Sequence, residues 1–243
     1  MGILRSFLKA VGGISFIIFL SVLIFMLAIS NFTSCNTLKP IFTDLIKQQL
    51  NETPEQLNST YSILSSHCQT SGNETIYVES FKLNCSEIFS TTPEKLPEVI
   101  GNQTFDEIYF RRYNCSFFNC IQLPGQEKFF YLMGRDANIF FNESIIYLAL
   151  ATVISAFILI AASETWSGRF KAIGISLVFI GVSYFIIPVA KGLTNAKVPE
   201  SAAPIIDKIF NSISTNLLIA FILGIILTAV GFVLSHLSKK VKK

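Results

Sequence analysis

The sequence predicts an all-α membrane protein: a four-helix transmembrane bundle with a mainly helical, disulfide-containing extracytoplasmic domain between helices 1 and 2. Three observations predict it. The chain of 243 residues is 51% hydrophobic and 14% charged, with a mean hydropathy of +0.54, which is too apolar for an ordinary soluble domain of this length. Eight Asn-X-Ser/Thr acceptor sequences begin at Asn31, Asn51, Asn58, Asn73, Asn84, Asn102, Asn114 and Asn142, and none lies elsewhere. All five cysteines, Cys35, Cys68, Cys85, Cys115 and Cys120, fall in that same stretch. Glycan acceptors must meet their transferase outside the cytosol, and disulfides need an oxidising compartment, so two unrelated signals place residues 31–142 on the outer side.

The elements follow from the charge gaps. No charged residue occurs between Lys9 and Lys39, Glu143 and Glu164, Lys171 and Lys191, or Lys208 and Lys239. At 1.5 Å per residue each gap is long enough for a hydrocarbon layer of about 30 Å. After a cytoplasmic N-terminus at 1–10, the spans are expected at 11–30, 144–163, 171–190 and 213–236. A cytoplasmic loop at 164–170, an outer loop at 191–212 and a basic cytoplasmic tail at 237–243 connect and close them. Arg5 and Lys9 ahead of an apolar core, with Ala28-Ile29-Ser30 near its end, also fit a secretory signal peptide. The core exceeds the usual run of about 7 to 15 residues, so the segment is read as an uncleaved span.

Orientation follows from the short flanks. Arg5, Lys9, Arg169, Lys171, Lys239, Lys240, Lys242 and Lys243 lie on the proposed inner side, against Lys191, Lys197 and Lys208 in the outer loop. The bias puts both termini in the cytoplasm and the chain in the cell membrane. Divided the same way, residues 31–142 hold 8 Lys/Arg and 12 Asp/Glu, a charge of −4, and the remainder 11 and 4, a charge of +7. The overall +3 therefore reflects cytoplasmic flanks facing anionic lipid rather than a nucleic-acid surface. Membrane lipid is the first partner expected.

Within 31–142 helix signals dominate. Thr53-Pro54-Glu55-Gln56 opens a helix, continued by Leu57, Tyr61, Leu64 and Cys68 at helical spacing. Thr92-Pro93-Glu94 opens a short second helix, and Thr104 is expected to cap a third through Phe105, Ile108, Tyr109 and Arg112. The segment from Leu38 to Leu50 continues the first span or packs above it, and Glu127 to Met133 leads into the second span. Only Thr75 to Leu83 has strand alternation. Gly72-Asn73 and Pro124-Gly125 are the clearest turns. Two cross-links are expected among Cys68, Cys85, Cys115 and Cys120, with Cys35 the odd thiol. Cys85 and Cys115 occupy the middle positions of the Asn84 and Asn114 acceptors, where early cross-linking lowers glycan occupancy.

Catalytic chemistry finds few supports. The two histidines, His67 and His236, fall on opposite sides of the membrane, and His67 and Cys68, adjacent on a helix, point apart. No Gly-x-Ser-x-Gly elbow or Gly-rich phosphate loop occurs. Neither a catalytic site nor a metal or other cofactor is expected, and ion-coupled transport lacks its usual mid-membrane charge. Small residues recur instead: Gly174 and Gly181 in the third span, and Ala220, Gly224, Thr228 and Gly231 in the fourth. Such rows let helix backbones approach within one bundle or between subunits.

Four spans with internal termini and a long cysteine-bearing loop between the first two resemble, in topology, claudin-like and large-pore channel proteins. The claudin Trp-Gly-Leu-Trp signature is missing, the sole Trp being Trp166, and so are the paired cysteine triplets of connexin loops. No function or residue is carried over from either family. The function expected is a non-catalytic multi-pass surface glycoprotein whose outer domain binds a partner or scaffolds a membrane complex. An oligomeric channel of four-helix subunits and an extracytoplasmic sensor are the alternatives. The acceptor-free stretch from Phe117 to Asp136, with Phe117, Phe118, Phe129, Phe130 and Tyr131, is the expected partner patch; the small-residue helix faces offer a homo-oligomer contact.

Overall fold

The computed structural model describes residues 2–49, 54–71, 74–78, 81–195 and 203–241. The protein is 86% helical, with four helices long and apolar enough to cross a membrane. It divides into two compact units, one of Met1–Ser30 with Phe141–Lys243 and one of Asn31–Phe140. The acceptors Asn51 and Asn73, the cap Thr53, Gly72, and Lys197, Lys242 and Lys243 lie outside the described residues.

The candidate spans are Arg5–Phe32, Arg135–Ala161, Trp166–Gly192 and Asp207–Ser238, and all of them but residues 31–32 and 135–140 belong to the first unit. They belong to α1 (Gly2–Phe32), α8 (Arg135–Ala161), α9 (Trp166–Val182) with α10 (Ile187–Asn195), and α11 (Ala203–Val241). Large apolar side chains such as Ile18, Phe25, Leu150, Phe157, Phe179 and Phe232 stand exposed along them. In water such a surface would aggregate; against acyl chains it is the surface a spanning helix needs. The buried hydroxyls of Thr152, Ser155 and Ser176 donate to the carbonyls of Leu148, Ala151 and Ala172, one turn back on their own helices, and Ser163, just past the end of α8, donates to the Leu159 carbonyl. Burial therefore leaves those donors satisfied.

The closest packing in this unit joins α9 to α11, and the small residues are the reason. A Cβ built on Gly224 would stand 2.5 Å from the Val178 nitrogen, and one on Gly181 would stand 2.5 Å from the Phe221 Cα. One on Gly174 would lie 2.6 Å from the Thr228 nitrogen, and one on Gly231 2.9 Å from the Lys171 nitrogen. Ala220 is buried as well. Backbone approaches backbone along the whole seam, which only glycine allows. Beside it Ile24, Ile180 and Leu217 form a buried cluster. Lys191 pairs with Asp207 at 2.9 Å, tying α10 to α11.

All four candidate spans differ in bounds from the expected 11–30, 144–163, 171–190 and 213–236, the second starting nine residues earlier at Arg135. The third begins at Trp166 rather than 171, because Thr165 caps it: its hydroxyl accepts from the Gly168 N–H at 3.0 Å. A 3-10 turn at Ser183–Phe185 separates α9 from α10, one turn ahead of Pro188, whose ring excludes the carbonyl four residues earlier from a regular helix. Helix also occupies part of the expected outer loop, since α10 runs to Asn195 and α11 starts at Ala203.

Among the described residues the second unit is mainly helical, with one antiparallel strand pair. It contains α2 (Cys35–Gln49), α3 (Pro54–Ser71), β1 (Thr75–Val78), β2 (Phe81–Asn84), α4 (Cys85–Phe89), α5 (Leu96–Tyr109), α6 (Phe117–Cys120) and α7 (Gly125–Met133). The strands pair antiparallel, Thr75 with Asn84 through Val78 with Phe81. Thr104 is not a cap. Helix α5 starts at Leu96, straight after the 3-10 turn Pro93–Lys95, and passes through a buried Thr104 to Tyr109, leaving Arg112 outside it. Thr33-Ser34 separates α2 from α1, and the Ser34 carbonyl accepts from the Thr37 and Leu38 N–H groups at the new start.

Candidate functional site

The unit Asn31–Phe140 carries the cysteines and most of the acceptors, so the candidate surface is built here. Its first core gathers Leu64, Cys68, Ile76, Leu83, Cys85, Ile88 and Leu96, drawn from α3, the hairpin, α4 and α5. Cys68 and Cys85 lie at disulfide distance inside it, their Cα atoms 5.6 Å apart. The spacing of Leu64 and Cys68 on α3 turns both inward and leaves His67 exposed. Asn84 ends β2 and caps α4, its Oδ1 accepting from the Ser86 N–H at 3.0 Å and hydroxyl at 2.8 Å. Gln103 Oε1 accepts from the Asn84 N–H at 2.7 Å, which fastens the hairpin to α5.

A second core packs α2 against α5 through Leu38, Phe105 and Tyr109, with Phe32, Cys35, Phe42 and Met133 around them. Gly101 permits the approach: a Cβ there would lie 3.2 Å from the Thr43 Cα. Lys39 Nζ meets both carboxylate oxygens of Asp106 at 2.8 Å, and Lys47 meets Glu98 at 3.2 Å. These pairs are partly exposed and fix register more than they stabilise. Burial raises the Tyr109 phenol above its ordinary value, and the neighbouring Cys35 adds to the shift. Cys35 is a free thiol.

The aromatic stretch divides in two. Cys115 and Cys120 lie at disulfide distance, Cα atoms 5.6 Å apart, and close a short loop around α6. Phe117 in that loop stacks on Phe140, ring centroids 3.9 Å apart and planes 8° from parallel. Tyr131 is only 2% exposed, with Phe117 at 6.1 Å and Tyr113 at 5.3 Å between ring centroids. Burial raises the phenols of Tyr113 and Tyr131. Tyr131 is thus no part of a surface patch, because α7 turns it inward as the centre of this aromatic cluster, and Phe117 is half-buried beneath its neighbours. Phe118 and Phe129 are the outward members, 65% and 57% exposed, and Phe130 is intermediate. Phe140 and Tyr113 are residues the sequence reading missed. Phe140 reads in sequence as the apolar approach to the second span, and no local signal marks its partner, because Gly134 separates its helix from α7.

Six acceptors fall on described residues. Asn31, Asn58, Asn84, Asn114 and Asn142 are exposed and Asn102 is half-buried. Asn102 accepts from the Thr43 hydroxyl at 3.2 Å through Oδ1, as Asn84 accepts through Oδ1 at its cap. A glycan is attached at Nδ2, so both contacts are compatible with modification. Asn142 lies within α8 and belongs to the spanning unit rather than to the cysteine-bearing one; its Oδ1 accepts from the Ser30 hydroxyl at 2.7 Å.

Among the described residues no group of three His, Cys, Asp or Glu is placed to hold a metal ion. His67 and His236 are both exposed. No protein-family model matches this chain, and no curated protein or solved structure matches it either.

Proposed function

We propose that this protein is a non-catalytic multi-pass glycoprotein of the cell surface. Both termini are cytoplasmic, residues 31–142 face outward, and the outer unit binds a protein partner or scaffolds a membrane complex. The observation that carries the reading is the exposure of Phe118 and Phe129 in the stretch from Phe117 to Asp136, which has no glycan acceptor in a region that otherwise has eight. Sugars would screen much of the remaining surface, and exposed aromatic side chains on short helices present large contact area at small cost in conformational entropy.

The row of small residues supports a reading within one chain. Gly174, Gly181, Gly224 and Gly231 are filled by the chain's own helices, so the α9–α11 face is already occupied. Orientation rests on the Lys/Arg bias and on the confinement of acceptors to one stretch.

The test replaces Phe118 and Phe129 together by Ser and repeats a native-detergent pull-down against the unaltered protein, with circular dichroism confirming an intact fold. Aromatic anchors of this kind are worth about 2 kcal/mol or more, so recovery of the wild-type partner should fall by about thirtyfold. Full recovery of the same partners would remove the patch from the account.

A further inference from the structure

Two cavities in the spanning unit share Lys9 and Gly168. One, of about 420 Å³, is polar and is lined by Arg5, Ser6, Lys9, Glu164 and Thr165 at the end of the helices. The other, of about 470 Å³, is largely apolar and runs along Gly13, Ile14 and Ile17 of α1, Leu159 of α8 and Ile175 of α9. We propose that together they bind one anionic phospholipid, its phosphate at Lys9 and an acyl chain in the apolar groove.

Charge complementarity commits the polar end to an anion. Arg5 is paired with Glu164, while Lys9 has no ion-pair partner among the described residues. Lys171 borders the groove and rests over the Phe232 ring with its Nζ 4.1 Å from the centroid, and Arg169 donates to the Ser163 carbonyl at 3.3 Å beside the polar cavity. Four cations against Glu164 leave the neighbourhood positive, and Lys9 is the one of them that lines both cavities.

The apolar end selects a chain rather than a free anion. From Lys9 to Ile17 the groove follows α1 for about 12 Å at 1.5 Å per residue, in the direction a membrane-spanning helix carries it toward the hydrocarbon. Gly13 gives it width: a Cβ built there would meet only Leu159 Cδ1, at 3.8 Å. Its neighbour Gly12 does the opposite work, with a Cβ position 3.1 Å from the Leu159 nitrogen holding α1 against α8. One glycine closes the helix pair and the next leaves the groove open. Because either end of a spanning bundle lies at headgroup depth, the inference does not depend on orientation.

The experiment uses the purified full chain in detergent with equimolar 1-palmitoyl-2-oleoyl phosphatidylglycerol and phosphatidylcholine, read by native mass spectrometry. A basic residue near a lipid surface contributes about a fivefold preference, so the wild-type chain should retain phosphatidylglycerol over phosphatidylcholine by about that factor or more. Lys9→Gln should bring the ratio close to one and Lys9→Arg should keep it. Gly13→Leu should fill the groove and reduce retained phosphatidylglycerol by a similar factor at an unchanged unfolding temperature; if that variant fails to fold, Ile175→Trp narrows the opposite wall, where Ile175 is 56% exposed. Excess sn-glycerol 3-phosphate should not displace the lipid. Equal retention of both lipids, indifference to Lys9→Gln, indifference to groove filling, or displacement by the soluble headgroup would each overturn the proposal.

Discussion

Gly181→Leu is expected to abolish a stable bundle, and even Gly181→Ala should lower its thermal unfolding temperature clearly. A single methyl at this position would stand 2.5 Å from both the Cα and Cβ of Phe221, and 2.6 Å from its nitrogen. Those atoms are backbone or fixed to it, so the helices must separate rather than a side chain rotate. Overpacking of this kind costs about 1 to 3 kcal/mol for one or two methylenes, and Leu adds more than that. Since spanning helices associate through packing and not through the hydrophobic effect, lost contact along α9 and α11 has no other term to offset it. Gly192→Ala is the internal control. Nothing lies within 4 Å of a Cβ there, and Ala is the better helix former by about 1 kcal/mol, so the variant should be neutral or slightly more stable. Detergent thermal unfolding followed by circular dichroism reads both. Equal midpoints for Gly181→Ala and Gly192→Ala would show that the seam is not closed as described.

The second large effect concerns Cys68→Ser. Cys68 and Cys85 are separated by 17 residues, and constraining a loop of that length is worth about 3 kcal/mol in the chain-entropy account. Both side chains sit in the core with Leu83, Ile88 and Leu96, so the substitution also places a hydroxyl and an unpaired thiol among apolar groups. A unit of about 110 residues has little stability to lose. Cys120→Ser, which opens a separation of only 5, should cost less, about 2 kcal/mol. Peptide mapping without reduction should find Cys35 alkylated and the other four cross-linked in these two pairs. Free reaction of all five would remove the covalent frame.

What was legible in the sequence tracks how local the governing physics is. The four spans are legible because lipid forbids charge and unsatisfied backbone over some twenty residues, a constraint each segment obeys alone. Pairing of Cys68 with Cys85 was one of several possibilities until the hairpin folded Cys85 back under α3. Thr104-Phe105-Asp106-Glu107 imitates a capping box, yet the helix runs through it because Leu96-Pro97 had already started it and Gly101 serves the approach of Thr43 rather than a stop. The aromatic stretch shows the same limit. Period alone does not say which of Phe129, Phe130 and Tyr131 faces inward; Tyr113, Phe117 and Phe140, brought from three other segments, decide it.

The central claim is that the cysteine-bearing unit faces outward, carries glycans and presents the binding surface. Its most direct test is external protease on intact cells expressing the full chain, combined with peptide:N-glycosidase treatment in heavy-oxygen water and mass spectrometry of the eight acceptor peptides. The account predicts degradation of residues 31–142 with both termini protected, and Asn-to-Asp conversion carrying the heavy label at most acceptors, Asn58 among them and Asn84 and Asn114 labelled least. A fully protected, unmodified stretch, with cleavage at the termini instead, would contradict the orientation and the function built on it.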